Sequence, residues 1–134
     1  MWFRLCVVLL FSLLLSGCIP RVGTAVQEGT GEYVRGEVVS GFPSLPLYKD
    51  SQVVESYGYQ GAFGATFMTG DDFAKVVKFY YESLPKLGWD MVVDAKSATN
   101  YVFEVKNAQS KGEIIVNIAA DDKRVAITIA VEPR

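Results

Sequence analysis

The chain has 134 residues, half of them apolar and about a fifth charged, with no histidine and a formal net charge of −2. That balance describes a single globular domain rather than a disordered chain, and the lack of any clustered Lys or Arg argues against a nucleic-acid partner. Both cysteines, Cys6 and Cys18, precede residue 20, so the rest of the chain has no disulfide framework, no Cys/His zinc site, no Ser-His-Asp triad and no Cys-His pair.

The first residues, "FRLCVVLLFSLLLSGCIP", carry one positive side chain. An apolar run, Leu5 to Leu15, follows, broken only by Ser12, and then the small residues Ser16 and Gly17. The run is too short to span a bilayer, which takes about 20 apolar residues. It also lacks the polar face of an amphipathic core helix. A charged start, a short apolar run and a small-residue site describe a secretory leader.

The stretch Leu15-Ser16-Gly17-Cys18 resembles the lipobox of bacterial lipoproteins. The resemblance implies cleavage after Gly17 and a diacylglyceryl group on the Cys18 thiol. It further implies a bacterial membrane as the location, the domain facing the extracytoplasmic side. Two or more acyl chains anchor stably where one does not. The leader is thus expected at residues 1–17, a lipidated, glycine-rich tether at 18–41 and one folded domain at 42–134. Within the tether, "EYVRGEVVSG" has the composition of a short strand able to dock on the domain. "FPSLPLY", with prolines three apart, reads as an extended lead-in rather than a polyproline ligand.

The domain is expected to be α+β, with the order β-β-α-β-β-β-β. Gln52 to Tyr59 and Ala62 to Thr69 are rich in β-branched and aromatic residues and read as a hairpin. Glycines 58, 61 and 64 between them lack the Lys-Ser or Lys-Thr of a phosphate loop. Phe73, Val76, Val77, Tyr80, Leu84 and Leu87 form one apolar stripe of a helix over about 71–87. Asp71 is expected to cap it, Asp72 to suit its positive end, and Gly88 to take the left-handed position just beyond it. Pro85 removes a backbone donor from the last turn.

Four alternating segments follow, around Trp89–Asp94, Tyr101–Lys106, Glu113–Ala119 and Val125–Val131. The turns "KSATN", "NAQSKG" and "ADDK" separate them. Short links imply an antiparallel meander, with the larger side chains of each strand turned toward the helix. The run "FYYESLPKLGW", placed after a hairpin and before a meander, resembles small α+β domains of uncharacterised bacterial envelope lipoproteins. The resemblance rests on Phe79, Tyr80, Leu84, Gly88 and Trp89; it implies the fold and no active site.

For chemistry, the acidic pairs Asp71-Asp72 and Asp121-Asp122 read as a helix start and a turn, and neither has the spacing of a calcium loop. Neither a catalytic set, a metal site nor a cofactor is expected. Two surfaces are candidates for binding. The sheet face turned from the helix would show Val92, Val102, Ile115, Asn117, Ala126 and Thr128, which is little charge for a solvated face. This suits an envelope protein or a second copy of the chain as partner, unless the tether strand around Tyr33–Val39 covers it. The alternative is a patch of Tyr57, Tyr59 and Phe63 on the hairpin, suited to a small ligand or glycan.

Overall fold

The computed structural model describes residues 31–134. The leader, Cys18 and most of the tether lie outside the described residues. Seven strands and one helix follow in the order β1 (Glu32–Arg35), β2 (Gln52–Tyr59), β3 (Ala62–Thr69), α1 (Phe73–Lys86), β4 (Asp90–Ser97), β5 (Asn100–Lys106), β6 (Ser110–Ile118) and β7 (Val125–Pro133). They form one antiparallel sheet ordered β1-β2-β3-β7-β6-β5-β4, so the class is α+β. The meander β4 to β7 is joined by short turns. The β2–β3 hairpin turns on Gln60 and Gly61, whose φ values of 49° and 81° make a turn that follows the sheet's twist. β3 then pairs with β7 along Phe63↔Val131 to Thr69↔Val125, which closes both units into one sheet.

β1 lies inside the segment expected to be tether. It pairs with β2, Tyr33 opposite Tyr57 and Arg35 opposite Glu55, so the folded part begins before residue 42. Beyond β1 the chain crosses to the helix side. There the Ser56 hydroxyl, fully buried, accepts from the Val39 N–H and donates to the Glu37 carbonyl, each at 2.8 Å. A buried hydroxyl with both roles filled carries no desolvation penalty. It ties the crossing to β2.

The helix lies on one sheet face. It buries Val76, Tyr80 and Leu84 completely, against Phe103, Ile114, Val116, Ile127 and Ile129, which are also fully buried. Rings meet edge-on at this seam, Tyr81 with Phe103 at 5.6 Å and Phe73 with Tyr101 at 5.8 Å between centroids. Val38, Phe42, Leu45 and Tyr48 from the lead-in join the same core. Trp89 is anchored there by its indole N–H, which donates to the Ser44 carbonyl at 3.0 Å.

Two local expectations are corrected, the cap and the last residue of the stripe. The residue at the helix cap is Asp72, and its side chain makes no cap bond. The Asp71 carboxylate is instead taken by the Tyr48 hydroxyl, which donates to it at 2.6 Å, and by Lys75 at 3.4 Å. Leu87 leaves the apolar stripe because the helix ends at Lys86, and 52% of it is exposed. Pro85 sits inside the last turn, where Leu87 and Gly88 donate to Ser83 and Pro85 carbonyls and close the end. Gly88 has φ 82°, the left-handed value its place required.

Candidate functional site

Strand alternation assigns every residue of the sheet to one of two faces. The helix and lead-in cover the face bearing Phe103, Ile114 and Ile129. No described element covers the other. β1 extends the sheet at its edge and leaves that face open. Its side chains lie in rows set by the register. One row runs Val102, Ile115, Thr128, Thr66 across β5, β6, β7 and β3. Next toward the β2–β3 turn runs Val92, Glu104, Glu113, Ala130 and Gly64, with Tyr57 beyond. The third row is Asp90, Lys106, Lys111 and Glu132.

The second and third rows floor a groove of about 800 Å³, open to solvent, with Tyr57 on one side and Val92 on the other. Tyr57 is 48% exposed and Val92 66%. The floor is charged. Glu104 stands directly opposite Glu113, and Lys106 directly opposite Lys111; like charges so placed repel. Lys111 is relieved by Glu132, at 3.4 Å. Among the described residues neither Glu104 nor Glu113 forms a close ion pair, although the Glu104 charge acts on Lys96 from further off.

The six residues of the expected partner face do share the open face. Val102, Ile115 and Thr128 form one row, and Asn117 opposite Ala126 forms the next. Val92 stands apart, beside Glu104, in the groove. The expected aromatic patch does not assemble. Tyr57 faces the groove. Tyr59 is on the same face, one row closer to the turn, opposite Ala62. Phe63 reaches the groove's lining, but its register with Gly58 turns its ring to the helix side, edge-on to Phe42 at 5.8 Å. The Phe63 ring is thus turned away from those of Tyr57 and Tyr59.

The charged floor is not among the surfaces expected from the sequence. A signal was present in "EVKNAQSKGE": Glu-x-Lys before the turn mirrors Lys-x-Glu after it, which brings like charges opposite one another in any hairpin symmetric about the turn.

The acidic pairs are structural. Asp121 accepts the Lys123 and Arg124 N–H groups at 3.0 Å each, and the Arg124 guanidinium at 2.6 Å. These bonds, the Arg124 backbone first, hold its carboxyl down at about 2. Among the described residues no group of three or more His, Cys, Asp or Glu is placed to hold a metal ion. No helix among them is long and apolar enough to cross a membrane.

A helix laid on one face of an antiparallel sheet, with the other face open, defines the class as a small α+β domain. The model of the START domain-like family matches residues 50–133, well over half the chain, and the chain belongs to that family. The match takes in the hairpin, helix and meander and leaves out β1 and the lead-in. No curated protein and no solved structure matches the chain.

Proposed function

We propose that this chain is a non-catalytic binding module of a bacterial envelope, held to a membrane by lipid on Cys18. Its open sheet face then receives a segment of another envelope protein in the groove between Tyr57 and Val92. The observation that carries this reading is the groove itself: about 800 Å³, on a face that no described element covers, with Glu104 and Glu113 directly opposite one another on its floor. An extended segment laid across the strands would cover Ile115 and Thr128 as well, and a basic side chain would relieve the repulsion between Glu104 and Glu113. The lipid anchor rests on the Leu15-Ser16-Gly17-Cys18 motif.

Site-specific photo-cross-linking on intact cells tests the binding half. A cross-linker in place of Tyr57 or Ile115 should capture the same protein, and one in place of Tyr81 on the helix should not. Capture from all three positions, or none from Tyr57 and Ile115, would defeat it. Cys18→Ala tests the anchor separately: it should leave an unprocessed, unacylated precursor, and unchanged mass and acyl labelling would refute lipidation alone.

A second reading, a small-ligand site, is favoured by the ring of Tyr57 in the wall. Native mass spectrometry of the purified chain would show an adduct lost in Tyr57→Ala. A single ring over a charged floor makes it the weaker reading.

A further inference from the structure

The described residues begin at Gly31, at one corner of the sheet. Glu32 pairs with Gly58, and Gly31 comes so close to the next residue of β2 that a Cβ on it would stand 2.8 Å from Tyr59 Cβ. The chain before Gly31 therefore enters at the end of the sheet that carries the β2–β3 turn. The groove opens at that end, where Tyr57 and Ala62 of the hairpin line it together with Glu132 of β7.

We propose that residues 19–30 of this same chain lie in the groove, with Arg21 over Glu104 and Glu113. This rests on the groove being the binding site proposed above, and it gives that site an occupant of its own, which a partner must displace. The segment is long enough. Glu113 on β6 and Glu104 on β5 lie four and five strands from β1, roughly 19–24 Å at about 4.8 Å per strand. Arg21 precedes Gly31 by ten residues, which extend to about 33 Å. The charges fall in the right order. Arg21 is the only cation in residues 19–30 and Glu28 the only anion. Glu28, three residues from Gly31, stays within about 10 Å of β1 and stops short of Glu113. Arg21 meets two carboxylates that face one another and form no close ion pair among the described residues, and a guanidinium carries enough donors to serve both. Of the cations in the next row, Lys111 is held by Glu132 at 3.4 Å and Lys106 stands opposite Asp90. Ile19 and Val22, close to Arg21, suit Val92, the most exposed of the large apolar side chains at 66%. An exposed ion pair is weak by itself. A segment joined to its site by a short linker, however, faces it at an effective concentration on the order of mM, so weak contacts suffice.

The full-length chain, expressed in bacterial membranes with a photo-cross-linker in place of Val92, allows the test. Val92 is on β4, six strands from β1, roughly 29 Å away and beyond the reach of residues next to Gly31. Illumination should give a product of monomer mass in which position 92 is joined to residues 19–30, identified by mass spectrometry of its peptides. The same cross-linker in place of Tyr81, on the helix, should not reach that segment. Arg21→Glu should lower the yield about threefold, since an exposed attraction becomes a repulsion. Adding Glu113→Lys to that variant should restore it. Should Arg21→Glu alter processing of the leader, seen in the mass of the chain, Glu104→Gln with Glu113→Gln removes the same attraction from the other side and must give the same loss. The proposal is overturned by no link from position 92 to residues 19–30, by a yield indifferent to these charge changes, or by equal linking from position 81. A link from position 92 to another protein alone defeats this occupant and leaves the partner reading standing. Linking of residues 19–30, with no partner captured from positions 57 and 115 even in Arg21→Glu, upholds this occupant and defeats the partner reading instead.

Discussion

The ring of Tyr57 lies across Gly64: a Cβ built at Gly64 would stand 2.2 Å from Tyr57 Cε1. The two residues are opposite one another in the β2–β3 hairpin, and the missing side chain at Gly64 is what lets the ring settle over the strand at the groove wall. Gly64→Ala must therefore displace Tyr57. The displaced atoms are the far end of a half-exposed side chain, and Ala restores part of the strand entropy that Gly gives up, roughly 0.5–1 kcal/mol. The expected outcome is a melting temperature within a few degrees of wild type together with weakened cross-linking from the groove. A variant that unfolds, or one that binds as before, would contradict this role for the ring over Gly64.

Glu113→Gln removes one of two carboxylates that face each other across β5 and β6. Both are exposed, so the gain is small, under about 1 kcal/mol, and shrinks as salt is raised. Thermal melts of wild type and variant at low and high ionic strength check this. The variant should be the more stable at low salt and the two should converge at high salt. A variant less stable at low salt would mean that Glu113 has a favourable partner. If the groove receives a basic segment, the same variant should bind it less well although it is more stable.

The helix and the four strands after it were legible because their apolar periods run long enough to identify them, and Gly88 because a helix end needs a left-handed residue. Other features depend on contacts remote in sequence. β1 is four residues, and only its register with β2 makes it a strand. Asp71 was the better cap candidate until Tyr48, 23 residues earlier, took its carboxylate. Tyr57 and Phe63 fall on opposite faces because the hairpin turns in two residues, which requires Gln60 at φ 49°, a conformation that its side chain does not advertise. The crossing after β1 rests on Ser56, a polar residue in a strand with no sign in the sequence that it is buried. The groove floor was written in the sequence as a mirror about a turn, and it becomes a site only once the sheet's open face is known.

Tyr80 lies in the middle of α1, fully buried, and its hydroxyl has no hydrogen-bond partner among the described residues. Burial drives its pKa upward, and the nearby Tyr48 backbone acts in the opposite direction. An unpaired buried hydroxyl is a standing cost of about 1–3 kcal/mol, while its ring packs near Phe103 at 6.0 Å. Tyr80→Phe keeps the ring and removes the cost, so it should raise stability by roughly 1 kcal/mol in denaturant unfolding. Tyr80→Ala leaves a cavity and should lose about 3–5 kcal/mol. A marked loss in Tyr80→Phe would mean that the hydroxyl is in fact bonded.

The Tyr48–Asp71 contact and the Asp121 turn both bear on how stability varies with pH. Burial, then the hydrogen bond to Asp71, pushes the Tyr48 phenol up to about 12, against about 10 in an unfolded chain. The folded state binds that proton more tightly, so Tyr48's contribution is complete below pH about 10 and is lost as pH rises through 12. Asp121 has the opposite sign. Its carboxyl, held down at about 2, contributes fully above pH about 4 and loses that contribution as pH falls through 2. Asp71 is also lowered, chiefly by the Tyr48 hydroxyl, and adds to the acid limb. Melting temperature measured from pH 2 to 12 should therefore show a plateau that falls on both sides. Asp121→Asn should lower the plateau and flatten the acid limb. Tyr48→Phe should lower the plateau by a few degrees and remove part of the alkaline limb, the rest belonging to Tyr80, whose pKa is also raised. A wild-type profile flat from pH 4 down to 2 would contradict the role given to Asp121, and an alkaline limb unchanged in Tyr48→Phe would contradict that of the Tyr48–Asp71 bond.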